Sequence, residues 1–152
     1  MAQIMYCEGD IFTSSAQVLV NPVNCSGVMG KGLALEFKKR YPEMFRSYQR
    51  QCKDGTLRIG WPMLYTDSTP WILNFPTKDK VRADSKLEYI EKGLHFLVSY
   101  SWIIGIQSIA FPKLGAGLGG LSWSEVGPLM VDFLSYTDWD VYIYIASGDT
   151  RY

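Results

Sequence analysis

Short, uninterrupted apolar runs recur along the chain, separated by stretches of helical periodicity. Ile4-Met5-Tyr6-Cys7 and Val18-Leu19-Val20 read as strands, and the Asn21-Pro22-Val23-Asn24 that follows has the composition of a turn closing the second. After a glycine-rich stretch, Leu33, Phe37 and Tyr41 fall at helical spacing, and Pro42 suits the first turn of another helix running through Tyr48. Two strands are expected at Met63 to Tyr65 and Trp71 to Phe75. Asp84-Ser85 stands where a cap belongs, ahead of a helix whose Leu87, Ile90, Leu94 and Leu97 make one apolar stripe. A strand at Ser108 to Phe111, a helix from Ser122 or Ser124 with Val126, Leu129, Met130 and Phe133 inward, and a strand at Val141 to Ile145 complete the pattern.

Strands therefore alternate with helices, and the strands are continuous apolar runs, the mark of strands buried on both faces. The pattern predicts an α/β sandwich with a mostly parallel sheet between helical layers. No internal repeat, low-complexity segment or linker interrupts it, so residues 1–152 are expected to form a single domain.

Composition narrows the function classes. At 152 residues, 47% hydrophobic and 20% charged, the chain can bury a real core. Its 15 basic and 15 acidic residues cancel, so any grip on nucleic acid must come from a local patch. Cys7, Cys25 and Cys52 show no CxxC spacing and have only His95 to join them, so neither a disulfide framework nor a metal site is expected. His95 falls off the apolar stripe, four residues from Glu91, as a surface pair would. Without a leader-like N-terminus or a membrane-length apolar run, the expected compartment is the cytoplasm, with no membrane partner.

Candidate chemistry sits where strands end. Open α/β sheets bind ligands at the carboxyl ends of their strands. Here those ends lead into NCSGVMGKG (Asn24 to Gly32), NFPTK (Asn74 to Lys78) and LGAGLGG (Leu114 to Gly120). Glycine loops that feed helices offer unobstructed backbone amides, which suit a nucleotide diphosphate. A P-loop is excluded, because Gly32 stands where Ser or Thr must follow the lysine and Cys25 where a glycine is needed. Gly115, Gly117 and Gly120 satisfy GxGxxG, yet the chain continues for about one strand more, too little for a Rossmann unit. Lys78 at a strand end is either a solvated loop charge or a placed reagent.

Together, EGDIF (Glu8 to Phe12), VLVNPVNCSGVMGKGLALEFKKRYP (Val18 to Pro42), NFPTK and SIAFPKLGAGLGGLSW (Ser108 to Trp123) resemble the macrodomains, ADP-ribose-binding modules with a three-layer α/β/α sandwich and a mixed, mostly parallel sheet. Within them the chain looks most like the branch of terminal ADP-ribose protein glycohydrolase and the DarG-type antitoxins. The resemblance runs from about Ile4 to Tyr144.

It implies that Asp10 receives the adenine amino group with Ile11 packed nearby, against the plainer reading of Asp10 as a turn residue. It implies that Asn24 binds the distal ribose. Gly27, Val28, Met29, Gly30, Lys31 and Gly32 would face Leu114, Gly115, Ala116, Gly117, Leu118 and Gly119 across ribose and diphosphate, with Thr77 beside them. Lys78 becomes the catalytic residue together with Asn24, attacking the anomeric carbon or acting as an acid or electrostatic stabiliser. Lys80, Arg82 and Lys86 would give a small cationic rim.

The implied function is lysine-dependent removal of ADP-ribose from DNA bases, without metal or cofactor. Its partners would be ADP-ribose, ADP-ribosylated DNA or protein, and a cognate ADP-ribosyltransferase toxin. Glutamate-linked protein substrates, a non-catalytic reader and an ADP-ribose 1″-phosphate phosphatase are the alternatives. Members that cleave glutamate esters carry an aspartate where this chain has Gly119.

Overall fold

In the computed structural model, which describes all 152 residues, β1 (Gln3–Glu8), β2 (Val18–Asn24), β3 (Met63–Tyr65), β4 (Trp71–Lys78), β5 (Ser108–Phe111) and β6 (Asp140–Ile145) form one sheet in the order β1-β6-β5-β2-β4-β3. Every neighbouring pair is parallel except β3 with β4. The helices are α1 (Gly32–Arg40), α2 (Pro42–Asp54), α3 (Leu87–Ser99), the short α4 (Ser101–Ile104) and α5 (Trp123–Leu134).

Successive residues of a strand face opposite sides of the sheet, and here both sides are covered. Val18, Val20, Leu73, Phe75, Ile109 and Phe111 point into a core completed by α3 and α5. Their strand neighbours Leu19, Ile72 and Ala110 join Phe37 of α1 and Met44 and Tyr48 of α2 on the other side. This is the three-layer α/β/α sandwich expected, with the mixed sheet supplied by antiparallel β3.

Several local expectations change. Asn21-Pro22-Val23-Asn24 is not a turn but the second half of β2, paired with β4. Beyond Leu19 that strand has no partner on the β5 side, and a strand open on one side has room for a residue without an N–H. β4 likewise runs on through Pro76 and Thr77 to Lys78. Tyr41 is not part of α1 but the joint between α1 and α2, where Pro42 takes the first helical position and Gly55, at φ +79°, ends the second helix.

Asp84-Ser85 does not cap α3. The residue before that helix is Lys86, with no side-chain cap bond, and Ser85 is buried elsewhere. Ser122 does cap α5, accepting from the Ser124 N–H; Leu134 joins Val126 and Met130 in the core, with Leu129 and Phe133 half-buried beside it. His95 makes no ion pair with Glu91; its ring lies edge-on to Phe133 with centroids 6.4 Å apart. No helix is long and apolar enough to cross a membrane.

The connections place a crevice. From β2 the chain passes to β4 on one side; from β5 it passes to β6 on the other, so the two adjacent strands are a topological switch point. They pair only at Val18–Ile109 and Leu19–Ala110 and then diverge.

Candidate functional site

The diverging strands open into a cleft of about 1130 Å³ at the carboxyl ends of β1, β2, β4, β5 and β6. Of the residues singled out from the sequence, Asp10, Ile11, Asn24, Val28, Met29, Gly30, Lys31, Gly32, Thr77, Lys78, Gly115, Gly117, Leu118 and Gly119 all line it. Gly27, Leu114 and Ala116 do not. The Gly27 carbonyl faces α2, accepting from Gln49 Nε2 at 3.2 Å, and Leu114 is fully buried in the core. Ala116 is turned into its own loop, donating its N–H to the Lys113 carbonyl at 3.2 Å.

Lys78 and Asn24 are brought side by side by strand pairing. Val23 pairs with Pro76 and Asn24 with Lys78, so the ladder skips Thr77. The bulge changes the register at the last residue of both strands and sets half-buried Lys78 against Asn24 at the cleft wall. The Asn24 side chain is already engaged. Its Nδ2 donates to Val28 O at 2.8 Å, and its Oδ1 accepts from the Ser26 N–H at 2.9 Å. The Tyr48 hydroxyl lies 2.7 Å from Asn24 O and 2.8 Å from Oδ1. One amide N–H remains for a ligand.

Asp10 combines both roles weighed for it. Its Oδ1 accepts from the Phe12 N–H at 2.9 Å, capping the 3-10 turn Ile11–Thr13, while the residue lines the cleft. At the other end, α1 begins at Gly32 with no side-chain cap and no acidic residue in its first turn. Its leading N–H groups are free to meet an anion.

The second glycine loop is shaped by close approach. Gly115 has φ +68°, and a Cβ there would lie 2.8 Å from Leu121 Cδ1. A Cβ at Gly119 would run into Ser85 Oγ and lie 2.5 Å from the Gly115 carbonyl oxygen. The Ser85 N–H donates to Gly119 O at 3.1 Å, while its buried hydroxyl has no partner.

Among the charged lining residues, Lys113 pairs with Asp149 at 2.7 Å and Glu8 with Arg151 at 3.1 Å. Asp10, Lys31, Lys78 and Arg82 take part in none of the ion pairs. Burial, reinforced by Cys52 and Asp79, pushes the Cys25 thiol up to about 12, which leaves it protonated and a poor nucleophile. No group of His, Cys, Asp and Glu is placed to hold a metal.

Sequence reasoning missed the far wall of the cleft, Tyr144 to Ser147, together with Glu8 and Pro112. These are the ends of β6, β1 and β5. The available signal was the general one, that ligand sites collect at strand carboxyl ends.

The chain matches the Macro domain family model over residues 20–130. It is 46% identical to a Mycobacterium tuberculosis protein named DNA ADP-ribosyl glycohydrolase, covering 97% of this chain and 44% of that one. A Thermosipho africanus protein, named as a fusion of DNA ADP-ribosyl transferase and DNA ADP-ribosyl glycohydrolase, is 40% identical over 91% of this chain and 40% of its own. The chain thus spans less than half the length of these curated relatives.

The solved macrodomain of Mycobacterium tuberculosis DarG superposes with a TM-score of 0.90 at 43% identity, covering 97% of this chain and 100% of that one. The Thermosipho africanus DarTG structure in complex with ADP-ribose gives 0.89 at 39% identity, covering 96% and 43%. With the family model matched from β2 into α5 and a whole solved macrodomain overlaid, the chain belongs to the Macro domain family.

Proposed function

We propose that residues 1–152 act as one domain that binds ADP-ribose and hydrolyses its linkage to DNA bases, with Lys78 and Asn24 at the distal ribose. The observation that carries the reading is the bulged register that sets a half-buried lysine beside Asn24 in a cleft of about 1130 Å³. That volume lies just above the usual range of ligand pockets, about 300–1,000 Å³, and leaves room for an elongated ligand with two riboses and a diphosphate. The relatives named as DNA ADP-ribosyl glycohydrolases support the substrate. The fusion relative supports a cognate ADP-ribosyltransferase as partner. DNA and reduced thiols both belong to the cytoplasm, the compartment this reading implies.

Gly119 favours DNA over glutamate-linked protein. A carboxylate there has no room beside Ser85 and Gly115, so this position offers no side chain with which to release a lysine adduct. Lys78 therefore works without becoming bonded to the sugar. As the bond from the anomeric carbon to the base nitrogen breaks, its electron pair leaves with the base, and the Lys78 ammonium stabilises that charge and donates a proton. Water adds to the anomeric carbon, and the proton it releases restores the ammonium.

The test offers ADP-ribosylated oligonucleotide and glutamate-modified protein in parallel. Lys78→Ala is expected to lower turnover of the oligonucleotide at least about 100-fold while keeping ADP-ribose affinity within a few fold. Lys78→Arg, which keeps charge but cannot give up a proton, is expected to retain part of the rate. Preferential release from the protein, or full activity in Lys78→Ala, would sink the reading.

A further inference from the structure

Past the residues assigned to ADP-ribose, the chain leaves Lys78 through Lys80 into Val81 and Arg82, which finish the mouth of the cleft. This segment leaves β4 but is held against the Asn24 loop. The Cys25 N–H donates to Asp79 O at 3.1 Å, the Val81 N–H to Ser26 Oγ at 3.2 Å, and the Ala83 N–H closes a turn onto Lys80 O at 3.0 Å. Val81 and Arg82 line the cleft, and Val81 is 42% exposed. Lys80 and Arg82 are both exposed and belong to no ion pair, although Asp79 and Asp84 are close in sequence.

Val28 and Leu118, 42% and 70% exposed, bring two further aliphatic side chains from two other loops to the same opening. A diphosphate needs backbone amides and cations, not an aliphatic side chain with two spare cations beyond the reacting carbon. The group that fits is flat and apolar and carries anions on both sides, namely a nucleobase within a phosphodiester chain. The chain is neutral overall, so such a grip has to be local.

We propose that Lys80, Val81 and Arg82 form a subsite for single-stranded DNA, Val81 packing against the face of the modified base and the two cations holding phosphates on either side of it. The proposal rests on the hydrolase reading above. Single strands are specified because a base whose attached sugar lies in this cleft must leave the duplex stack.

The test compares kcat/KM on an ADP-ribosylated single-stranded oligodeoxynucleotide with that on an ADP-ribosyl nucleoside lacking flanking phosphates, over a salt series. For Lys80→Gln with Arg82→Gln, the oligonucleotide-to-nucleoside ratio is expected to fall about tenfold, and the log–log salt slope to shrink by about 1.4, the value for two single-strand phosphate contacts. The charge-conserving pair Lys80→Arg with Arg82→Lys should keep the slope. Val81→Ser should raise KM for both substrates about fivefold and leave the slope alone.

A neutralised variant with the wild-type ratio and slope overturns the subsite while the hydrolase stands. The same loss on a modified glutamate peptide overturns DNA as the occupant. A wild-type protein that frees ADP-ribose from neither DNA substrate overturns the hydrolase reading itself.

Discussion

The two glycine loops that face each other across the cleft are built on different principles. The Asn24–Gly32 loop is braced by side chains. Tyr48 and Gln49 reach up to it from α2, and the Asn24 amide bonds to Val28 and Ser26. The Gly115–Gly120 loop receives no side-chain hydrogen bond. It is closed by backbone bonds, Gly120 N–H to Gly117 O at 3.3 Å and Leu121 N–H to Gly115 O at 2.9 Å, and fitted over Ser85 with no space for a Cβ at Gly119. A braced loop loses its shape one bond at a time; a fitted loop fails at the first atom added where it is tight, at Gly115 or Gly119.

The largest effect should come from the fitted loop. Gly119→Asp must displace both Ser85 and the Gly115 carbonyl, and overpacking of this kind costs about 1–3 kcal/mol. ADP-ribose affinity measured by calorimetry is expected to fall at least about tenfold. Ser85→Gly in the same chain should restore part of it. A Gly119→Asp variant that binds as tightly as wild type would erase the distinction between the loops.

The braced loop should yield by smaller steps. Tyr48→Phe removes a hydroxyl that serves Asn24 O and Oδ1, a loss of about 1–2 kcal/mol in stability, with a few-fold weaker ADP-ribose binding. Asn24→Ala should weaken binding more than Tyr48→Phe, since it removes the bonds to Val28 and Ser26 and the spare N–H. Denaturant titration beside calorimetry checks both.

The smallest effect is a drift with pH. Burial raises Cys25, in the braced loop, from 9.0 to about 12, and also raises Tyr48 and Cys52 of α2. In the unfolded chain these groups ionise near their ordinary values, while the folded protein keeps its protons. Stability contributed by the protonated cluster is therefore present below about pH 9 and falls as pH rises toward 12. The melting temperature should decline over that range, less steeply in Cys25→Ser. The fitted loop has no ionisable group of its own, so a Gly119→Ala chain should show the same slope as wild type from a lower starting point.

How much of this was legible follows the same division. The strands and the long helices could be read because burial on both faces leaves unbroken apolar runs, and α2 was marked by Pro42. Asn24 and Lys78 were singled out by their motifs, but not their adjacency, which depends on a one-residue bulge at Thr77. Ser85 was misassigned because a serine before a helix has the same composition whether it caps the helix or supports a loop 34 residues away in sequence, as it does under Gly119. Pro22 looked like a turn because its missing N–H is a defect in a fully paired strand, and only the divergence of β5 makes β2 a half-paired one. The ion pair from Lys113 to Asp149 joins segments whose meeting depends on the finished sheet.

That divergence of β2 from β5 also separates what this scaffold must keep from what it can exchange. The opening is made by backbone, two strands that part after Leu19 and Ala110, and Val18, Leu19, Ile109 and Ala110 at the junction are fully or almost fully buried. For protein engineering, the void comes with the architecture, and the exposed side chains at its rim are the parts that can be exchanged. Replacing the Lys80–Arg82 segment or the tip at Leu118 redecorates the opening without reaching the hinge of the fork, so selectivity in this scaffold can be rebuilt from the rim inward.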